Sequence, residues 1–335
     1  MPATIKDIAK ALGISPSTVS RALNDNPQIK EETIKAVKAT AKKLNYVPNK
    51  AAAGLRINKT YCIGVVVPSI GIYFFSRIIS GMQRVASARG YQLLICQSNE
   101  KEEEEEKLLK SLSAGRVDGI LLSISQETTR LNHIKEVMNH MPVVIFDRVD
   151  PALDTVQVEA DDYNAAYIAT QHLIKTGCKK IAHLAGPTSM FNTKNRLNGY
   201  KEALKDGDLE VSNSLIANCD FDRHVVGKAL EKLLKDHPDV DGIFAVNDNL
   251  GVEAIIVLKK MGYKVPEQIS VIGFGNYPIS KIVEPRLTTV SHYLSETGER
   301  SARYLLEMIE KKTRKIDIEP PFVSELIFRD STKQI

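Results

Sequence analysis

Long apolar runs are missing from this sequence. No stretch approaches the roughly 18 residues that a membrane-spanning helix needs, and strongly apolar segments such as Ile63–Val67 have the length of buried strands. The chain begins with a charged amphipathic segment instead of a secretory signal. Its four cysteines, Cys62, Cys96, Cys178 and Cys219, stand singly, as small core residues do in a reducing compartment. We therefore expect a cytoplasmic protein with no membrane partner.

Recognisable catalytic and cofactor motifs are missing too. The seven histidines show no metal-ligand spacing, and no glycine-rich phosphate loop follows a strand. No set of nucleophile, base and orienting residue can be named either. We expect no metal, no cofactor and no catalytic site.

The charge that is present is unevenly distributed. The chain has 335 residues and a formal charge of +4, and its length suggests two or three compact units. Residues 1–60 carry +7, whereas the remaining 275 residues carry −3. A small basic unit before a larger, mildly acidic one suggests that the basic unit binds a polyanion and that the acidic unit has another role.

The basic segment contains three short helical patterns. Thr4 caps the first, and Gly13 follows it where a left-handed residue ends a helix. Ser15 caps the second, with Pro16 at its first position. A third pattern covers 31–45. Two helices joined by a tight turn and closed by a third are typical of a helix-turn-helix domain.

The second helix has one apolar face and one polar face. Val19, Ala22 and Leu23 share the apolar face. A recognition helix must pack on its own domain and still offer donors to base edges in the major groove. The alternative is a small helical domain whose polar face is merely solvated. The polar face carries Ser17, Ser20, Arg21 and Asn24.

From residue 61 onward, apolar strand-like runs alternate with amphipathic helical patterns. This alternation predicts an α/β fold of doubly wound parallel sheets, divided into two lobes. Ligands of such sheets bind outside the carboxyl ends of the strands, here in the cleft between the lobes. The predicted strands are Cys62–Val67, Gln92–Cys96, Gly119–Ser123, Val143–Asp147, Lys180–Gly186, Ile243–Asn247 and Ser270–Phe274.

Polar and aromatic residues directly after these strands are the binding candidates. Three consecutive aromatics, Tyr73-Phe74-Phe75, cannot all enter one core, so at least one should line the cleft. The other candidates each have a structural alternative. The aspartates could cap the following helices, Arg196 could pair with an acid, and Phe221 could belong to the core. These further candidates are Asp147, Arg148, Asn192, Arg196, Asp220, Phe221, Asn247, Asp248 and Asn276.

One acidic run, Glu102–Glu106, precedes leucines at helical spacing. Acidic side chains suit the positive end of a helix dipole. We interpret the run as a solvated helix start and not as a partner site.

Recognisable motifs occur along nearly the whole chain, including Thr4-Ile5-Lys6-Asp7-Ile8-Ala9, Ser15-Pro16-Ser17-Thr18-Val19-Ser20-Arg21, Arg196-Leu197-Asn198-Gly199-Tyr200, Val246-Asn247-Asp248 and Val271-Ile272-Gly273-Phe274. Together they resemble the lactose/galactose repressor (LacI/GalR) family. This resemblance implies a helix-turn-helix domain at 1–47, a hinge helix or linker at 48–60, and a periplasmic-binding-protein-like core at 61–335. It implies one lobe over about 61–160 and 292–322, and another over about 161–291 and 323–335.

For DNA, the resemblance implies that Pro16, Ser17 and Arg21 face the bases and that Leu55 wedges into the central base step. Arg21 can bind a guanine edge with two hydrogen bonds, or alternatively a phosphate. Pro16, Ala53 and Gly54 depart from the polar residues of many members. The expected DNA-binding residues are Thr4, Ser15, Pro16, Ser17, Thr18, Ser20, Arg21, Asn24, Asn49, Ala52, Leu55 and Arg56.

For the cleft, the resemblance implies a small effector, most simply a sugar or sugar derivative. Gly275 stands where many sugar-binding members have an aspartate, which argues against a simple neutral monosaccharide. Met190 stands where a purine-responsive relative has a basic residue, and this difference argues against a purine effector. The expected effector-binding residues are Tyr73, Phe74, Asp147, Arg148, Asn192, Arg196, Phe221, Asn247, Asp248 and Asn276.

The sequence thus predicts a cytoplasmic, nucleoid-associated transcriptional regulator. We expect a homodimer on a palindromic operator, because no C-terminal heptad segment follows the core. A sugar-processing enzyme with an accessory basic domain is the main alternative, and a transport-type solute-binding protein is another. Whether the effector releases or recruits DNA binding is left open by the sequence.

Overall fold

The computed structural model describes residues 3–46 and 59–334. The chain divides into two compact units, Met1–Thr60 and Tyr61–Ile335. The expected hinge contacts Asn49, Ala52, Leu55 and Arg56 lie outside the described residues.

The first unit contains three helices, α1 (Ile5–Leu12), α2 (Pro16–Leu23) and α3 (Glu31–Lys43), within the described part of the chain. Their lengths follow the predicted periodicity, and α3 ends two residues before the predicted boundary. The core that holds them together consists of Ile8, Ala9, Val19, Ala22, Val37 and Ala41.

Local capping fixes the turn between α1 and α2. The Asp7 carboxylate accepts a hydrogen bond from the backbone N–H of Thr4 at 2.8 Å, which completes the first turn of α1. Gly13 has φ +65°, a conformation that favours glycine. The Ser15 hydroxyl then accepts from the Thr18 N–H at 3.1 Å and caps α2. These contacts hold α2 in a fixed direction relative to α1.

The second unit opens with a parallel five-stranded sheet in the order β2-β1-β3-β4-β5. Inward positions alternate along β1: Val65 packs on one face, and Val66 packs on the other. The strands are β1 (Cys62–Val67), β2 (Gln92–Gln97), β3 (Gly119–Leu122), β4 (Val143–Phe146) and β5 (Gln157–Val158). The helices between them are α4 (Tyr73–Ala88), α5 (Glu102–Ser113) and α6 (Asn132–His140).

A six-stranded sheet follows, in the order β11-β10-β9-β8-β6-β7. Its pairs are parallel except for β11, which runs antiparallel to β10. The strands are β6 (Ile181–Ala185), β7 (Ile216–Asn218), β8 (Gly242–Ala245), β9 (Ser270–Phe274), β10 (Thr288–Val290) and β11 (Leu326–Ile327). The accompanying helices are α7 (Asp162–Lys175), α8 (Phe191–Asp206), α9 (Val226–Asp236) and α10 (Asp248–Lys260).

The chain returns to the first sheet with α11 (Leu294–Lys311) before it forms β11. This helix crosses α4 closely because Gly81 and Gly298 lie at the crossing. A Cβ atom on Gly298 would lie 1.9 Å from the carbonyl oxygen of Ile78, and one on Gly81 would lie 2.0 Å from that of Ser295. The last segments therefore belong to both lobes, as α11 packs on the first sheet and β11 pairs in the second.

Two sheets with helices on both faces confirm the predicted α/β architecture. Within residues 3–46 and 59–334, no helix is long and apolar enough to cross a membrane. The same residues contain no group of three or more His, Cys, Asp or Glu side chains arranged to hold a metal ion.

The acidic run at the start of α5 is a solvated helix start only in part. Glu105 is fully buried, and its carboxylate accepts hydrogen bonds from the Ser125 N–H at 2.6 Å and the Thr128 hydroxyl at 2.9 Å. The Nε2 atom of His133 lies 2.9 Å from the same carboxylate. Helical periodicity explains the difference, because Glu105 shares the inward face with Leu109 and Leu112. Our interpretation of the whole run as solvated was therefore wrong for Glu105.

Candidate effector cavity and DNA-reading helix

A cavity of about 340 Å³ lies at the carboxyl ends of the strands of both sheets. This is the position expected for a ligand of parallel sheets. Residues after β1, β2, β3 and β4 line it from one side, and residues after β6, β7, β8 and β9 line it from the other. The expected effector residues that it brings together are Phe74, Asp147, Arg148, Asn192, Arg196, Phe221 and Asn247.

Arg148 is held by a carboxylate on the first lobe. Its Nη1 atom lies 2.5 Å from Glu100 Oε2, and its Nη2 atom lies 2.9 Å from Glu100 Oε1. Nη1 also donates to the carbonyl oxygen of Ile124 at 3.3 Å. Such a two-point pair fixes the guanidinium as well as offsetting its charge.

Arg196 is held in the same way on the second lobe. Its Nε atom donates to Asp162 Oδ1 at 2.7 Å, and its Nη1 atom donates to the carbonyl oxygen of Val246 at 2.8 Å. The guanidinium carbon lies 3.9 Å from the centroid of the Phe274 ring, a stacked cation–π geometry. Arg196 thus pairs with an acid, as the structural alternative proposed, and also lines the cavity.

Asp147 presents a carboxylate that forms an ion pair with Arg148 but has no hydrogen-bond partner among the described residues. It is 8% exposed, and no hydrogen bond to that carboxylate is formed by the residues the structure describes. Arg148 Nε is 3.9 Å away. Burial raises the pKa of Asp147 to about 7, although the neighbouring arginines oppose this shift. Its φ is +62°, and the strained backbone directs the side chain from the end of β4 into the cavity.

Aromatic rings form the apolar walls. Phe74 and Phe75 are edge to face at a centroid distance of 5.2 Å. His292 lies between the lobes, with its ring centroid 5.2 Å from that of Phe74 and 5.6 Å from that of Phe274. Burial lowers the pKa of His292 to about 3, so this ring is neutral at physiological pH. Phe221 completes the wall from the second lobe. Two of the three consecutive aromatics therefore line the cleft, as their position after β1 predicted.

Three expected effector residues lie outside the cavity lining. Tyr73 is 40% exposed and places its ring 5.7 Å from that of Tyr277. Asp248 is fully buried, and its carboxylate accepts hydrogen bonds from the Tyr277 N–H and the Thr289 hydroxyl, each at 2.5 Å. Asn276 Oδ1 accepts a hydrogen bond from Arg329 Nη2 at 2.6 Å. The last two side chains are thus engaged in the second lobe, which is why they do not point into the cavity.

Sequence reasoning missed several residues that do line the cavity. The most informative are Glu100, Gln126, Tyr277 and His292. Glu100 and Gln126 follow β2 and β3, so the same strand-end rule that identified Asp147 would have found them. Tyr277 follows β9 at the same spacing and would also have been found, whereas His292 follows β10, a three-residue strand that was not predicted.

Tyr277 also explains the glycine at position 275. Gly275 has φ +120°, and a Cβ atom there would lie 2.5 Å from Cε1 of the Tyr277 ring. The ring therefore occupies the space that a side chain at position 275 would need. Any carboxylate function at this end of the cavity must come from another residue.

In the first unit, α2 exposes the expected DNA-reading face. Pro16, Ser17, Arg21 and Asn24 are exposed, together with Thr4 and Ser15 before their helices. Thr18 and Ser20 are half-buried, since Thr18 contacts the Ser15 hydroxyl at 2.8 Å. The Arg21 guanidinium has no hydrogen-bond or ion-pair partner among the residues described. It is available to a ligand outside this unit.

Known proteins share both units. Residues 4–49 match the family described as bacterial regulatory proteins of the lacI family. Residues 60–325 match the family described as periplasmic binding proteins and the sugar-binding domain of the LacI family. The chain belongs to the LacI family.

Individual LacI-family proteins align with the whole length of the chain. The ribose operon repressor of Halalkalibacterium halodurans is 33% identical over 334 residues, covering 98% of this chain and 97% of that protein. The structure of the transcriptional regulator CelR in complex with cellobiose has a TM-score of 0.73 at 30% identity, covering 98% and 99% of the two chains. The Lac repressor dimer bound to operator and the anti-inducer ONPF has a TM-score of 0.88 at 23% identity and full coverage of both chains, which supports the fold.

Membership settles the choice among the predicted functions. This LacI-family chain is a DNA-binding transcriptional regulator with a small-molecule-binding core, and it is not an enzyme.

Proposed function

We propose that the chain is a repressor whose affinity for a palindromic operator is set by a sugar or sugar derivative bound in the cavity between its lobes. The observation that carries this proposal is the cavity itself. Aromatic walls and polar groups converge there from the carboxyl ends of both sheets, so a bound molecule contacts both lobes at once. A ligand that prefers one arrangement of the lobes shifts the protein toward that arrangement.

The cavity suits a polyhydroxylated molecule. Phe74 and Phe221 offer apolar faces on which a sugar ring can stack. Asn192 and Asn247 each use the side-chain oxygen within the protein, as Asn192 Oδ1 accepts from the Thr193 N–H and Asn247 Oδ1 accepts from the Leu250 N–H. Their NH₂ groups are left to donate to a ligand, and the Asp147 carboxylate is left to accept from its hydroxyls. The sugars named for the relatives support this class of ligand.

For DNA, we propose that α2 reads the major groove and that Arg21 makes the main base contact, with Pro16 and Ser17 beside it. We propose that Leu55, in the segment 48–60, wedges into the central step of the operator. Such a repressor acts in the cytoplasm on the nucleoid.

We propose a homodimer as the functional unit, with lobes formed by about 61–160 with 292–322 and about 161–291 with 323–335. Exposed apolar side chains support a second copy as the partner. On the second lobe Ile282 is 78% exposed, and Ile256 and Ile279 are each 36% exposed. On the edge strand β2, Leu94 and Ile95 are 40% and 43% exposed. Large apolar residues with this degree of exposure are common at protein interfaces.

Selection of binding sites from random DNA tests the DNA half of the proposal. The full chain should enrich a palindrome. Arg21→Ala should relax base preference at one symmetric pair of positions. Lys42→Ala, a matched loss of an exposed positive charge on α3, should weaken binding without changing the selected sequence. Equal retention of all DNA would refute the proposal, and an unchanged Arg21→Ala site would remove Arg21 as a base contact.

A further inference from the structure

Both cationic side chains that line the effector cavity are already neutralised by the protein. Glu100 takes two donors of Arg148, and Asp162 takes one donor of Arg196. A phosphate or carboxylate recognised by arginine normally binds through the same paired donors. A two-point contact between Arg148 and an anionic ligand would therefore require Glu100 to be displaced.

Apart from Glu100 and the two arginines, the acidic side chains in the cavity lining are two aspartates. Asp147 and Asp220 both line it, and neither carboxylate has a hydrogen-bond partner among the residues that the structure describes. Asp147 is buried and its pKa is raised to about 7, so above that pH its negative charge repels a ligand anion with little screening by solvent. The uncharged groups that converge there, including the amides of Gln126, Asn192 and Asn247, match hydroxyl groups.

We propose that the effector is an electrically neutral polyhydroxylated molecule, and that Glu100 is the residue that excludes phosphorylated and acidic sugars by occupying Arg148. This inference rests on the proposed function, because it specifies the class of ligand for the same cavity. Glu100 acts in two ways: it withholds the guanidinium donors, and it adds a negative charge to the lining. Arg148 then serves to hold the Asp147 and Glu100 side chains in place.

The experiment compares the full chain with Glu100→Gln and with Glu103→Gln, an exposed acid three residues further along the chain, in α5. Binding to neutral sugars and to their charged forms is measured by calorimetry, for example ribose with ribose 5-phosphate, and glucose with glucose 6-phosphate and glucuronate. The unmodified chain should bind a neutral member best. Glu100→Gln should shift the ratio of dissociation constants toward the anion by at least about tenfold, whereas Glu103→Gln should leave the ratio unchanged.

Inorganic phosphate provides a probe that does not depend on the sugar. It should stabilise Glu100→Gln against heat, but it should not stabilise the unmodified chain or Glu103→Gln beyond a common baseline. A double variant, Glu100→Gln with Arg148→Gln, removes both charges and should gain no phosphate binding, which also controls for loss of folding in the single variant.

The outcomes separate the two proposals. Preference of the unmodified chain for a charged sugar, or an unchanged ratio in Glu100→Gln, would overturn the role of Glu100 while leaving a sugar-responsive repressor intact. Equal stabilisation of all variants by phosphate would also overturn it. Binding of no sugar of either charge would overturn both this inference and the proposed sugar effector.

Discussion

At the scale of single residues, Asp147 lines the cavity although burial disfavours its ionised carboxylate. Its carboxylate is buried and faces Arg148, Arg196, Asp162 and Glu100, yet it makes no hydrogen bond with the residues described. In an unfolded chain its pKa would be near 3.8, whereas in the folded chain burial raises the pKa to about 7. The folded state therefore holds this proton more tightly than the unfolded state.

This difference makes a pH-dependent prediction. Between pH 4 and pH 7 the stability contributed by protonated Asp147 is lost as the pH rises, and above pH 7 the loss is complete. Asp147→Asn should therefore be more stable than the unmodified chain at pH 8, by about 1–4 kcal/mol, and nearly equal to it at pH 4. Thermal unfolding at both pH values measures the difference in stability between Asp147→Asn and the unmodified chain. The same difference at pH 4 and pH 8 would contradict the raised pKa of Asp147.

At the scale of elements, α5 shows that one helix turn can combine surface and core roles. Glu105 accepts hydrogen bonds from the segment after β3 and lies against His133 of α6. Glu106, its neighbour, pairs with Lys110 on the surface, where both side chains are about half exposed. Of these two residues, only Glu105 joins separate elements of the lobe.

Replacing each acid separates the two roles. Glu105→Ala leaves buried donors without an acceptor and should lower the free energy of unfolding by about 2–4 kcal/mol. Glu106→Ala should change it by less than about 1 kcal/mol, because exposed ion pairs contribute little. Urea unfolding monitored by circular dichroism measures both, and equal losses would show that Glu105 is not a structural acceptor.

The elements also show what the sequence can predict. Apolar runs such as Cys62–Val67 and Ser270–Phe274 were located to the residue, because buried parallel strands are continuously apolar. Strands of two or three residues, such as β5, β7 and β11, carry too little pattern to be predicted. In the cavity, strand ends pointed to Asp147 and Asn247, and both residues line it. The orientation of Asp248 was not predictable, since it depends on donors from Tyr277 and Thr289, which are distant in sequence.

At the scale of the whole molecule, the proposed dimer depends on the apolar surface around Ile282. Ile282→Glu should raise the dimer dissociation constant by at least about tenfold, because it places a charge in a desolvated contact. Val323→Glu is the matched control, as Val323 is 79% exposed and lies outside the proposed surface. Analytical ultracentrifugation measures both variants. If both variants raise the dimer dissociation constant equally, or if neither raises it, the dimer contact lies elsewhere.

Coupling between the effector cavity and the DNA-reading helix is what the proposed regulator requires. Effectors that couple binding sites typically change affinity by about 5–150-fold. Arg196 contacts the second lobe through Asp162 and Val246 and faces the cavity. A variant without its guanidinium should lose the effector response while the DNA-reading helix is left unchanged.

Operator affinity with and without effector tests this claim most directly. Fluorescence anisotropy of the selected operator should give a dissociation constant that a stabilising neutral sugar changes by about 5–150-fold. Arg196→Ala should bind the same operator with similar affinity and show no such change. An effector that stabilises the unmodified chain against heat, yet leaves its operator affinity unchanged, would contradict the account.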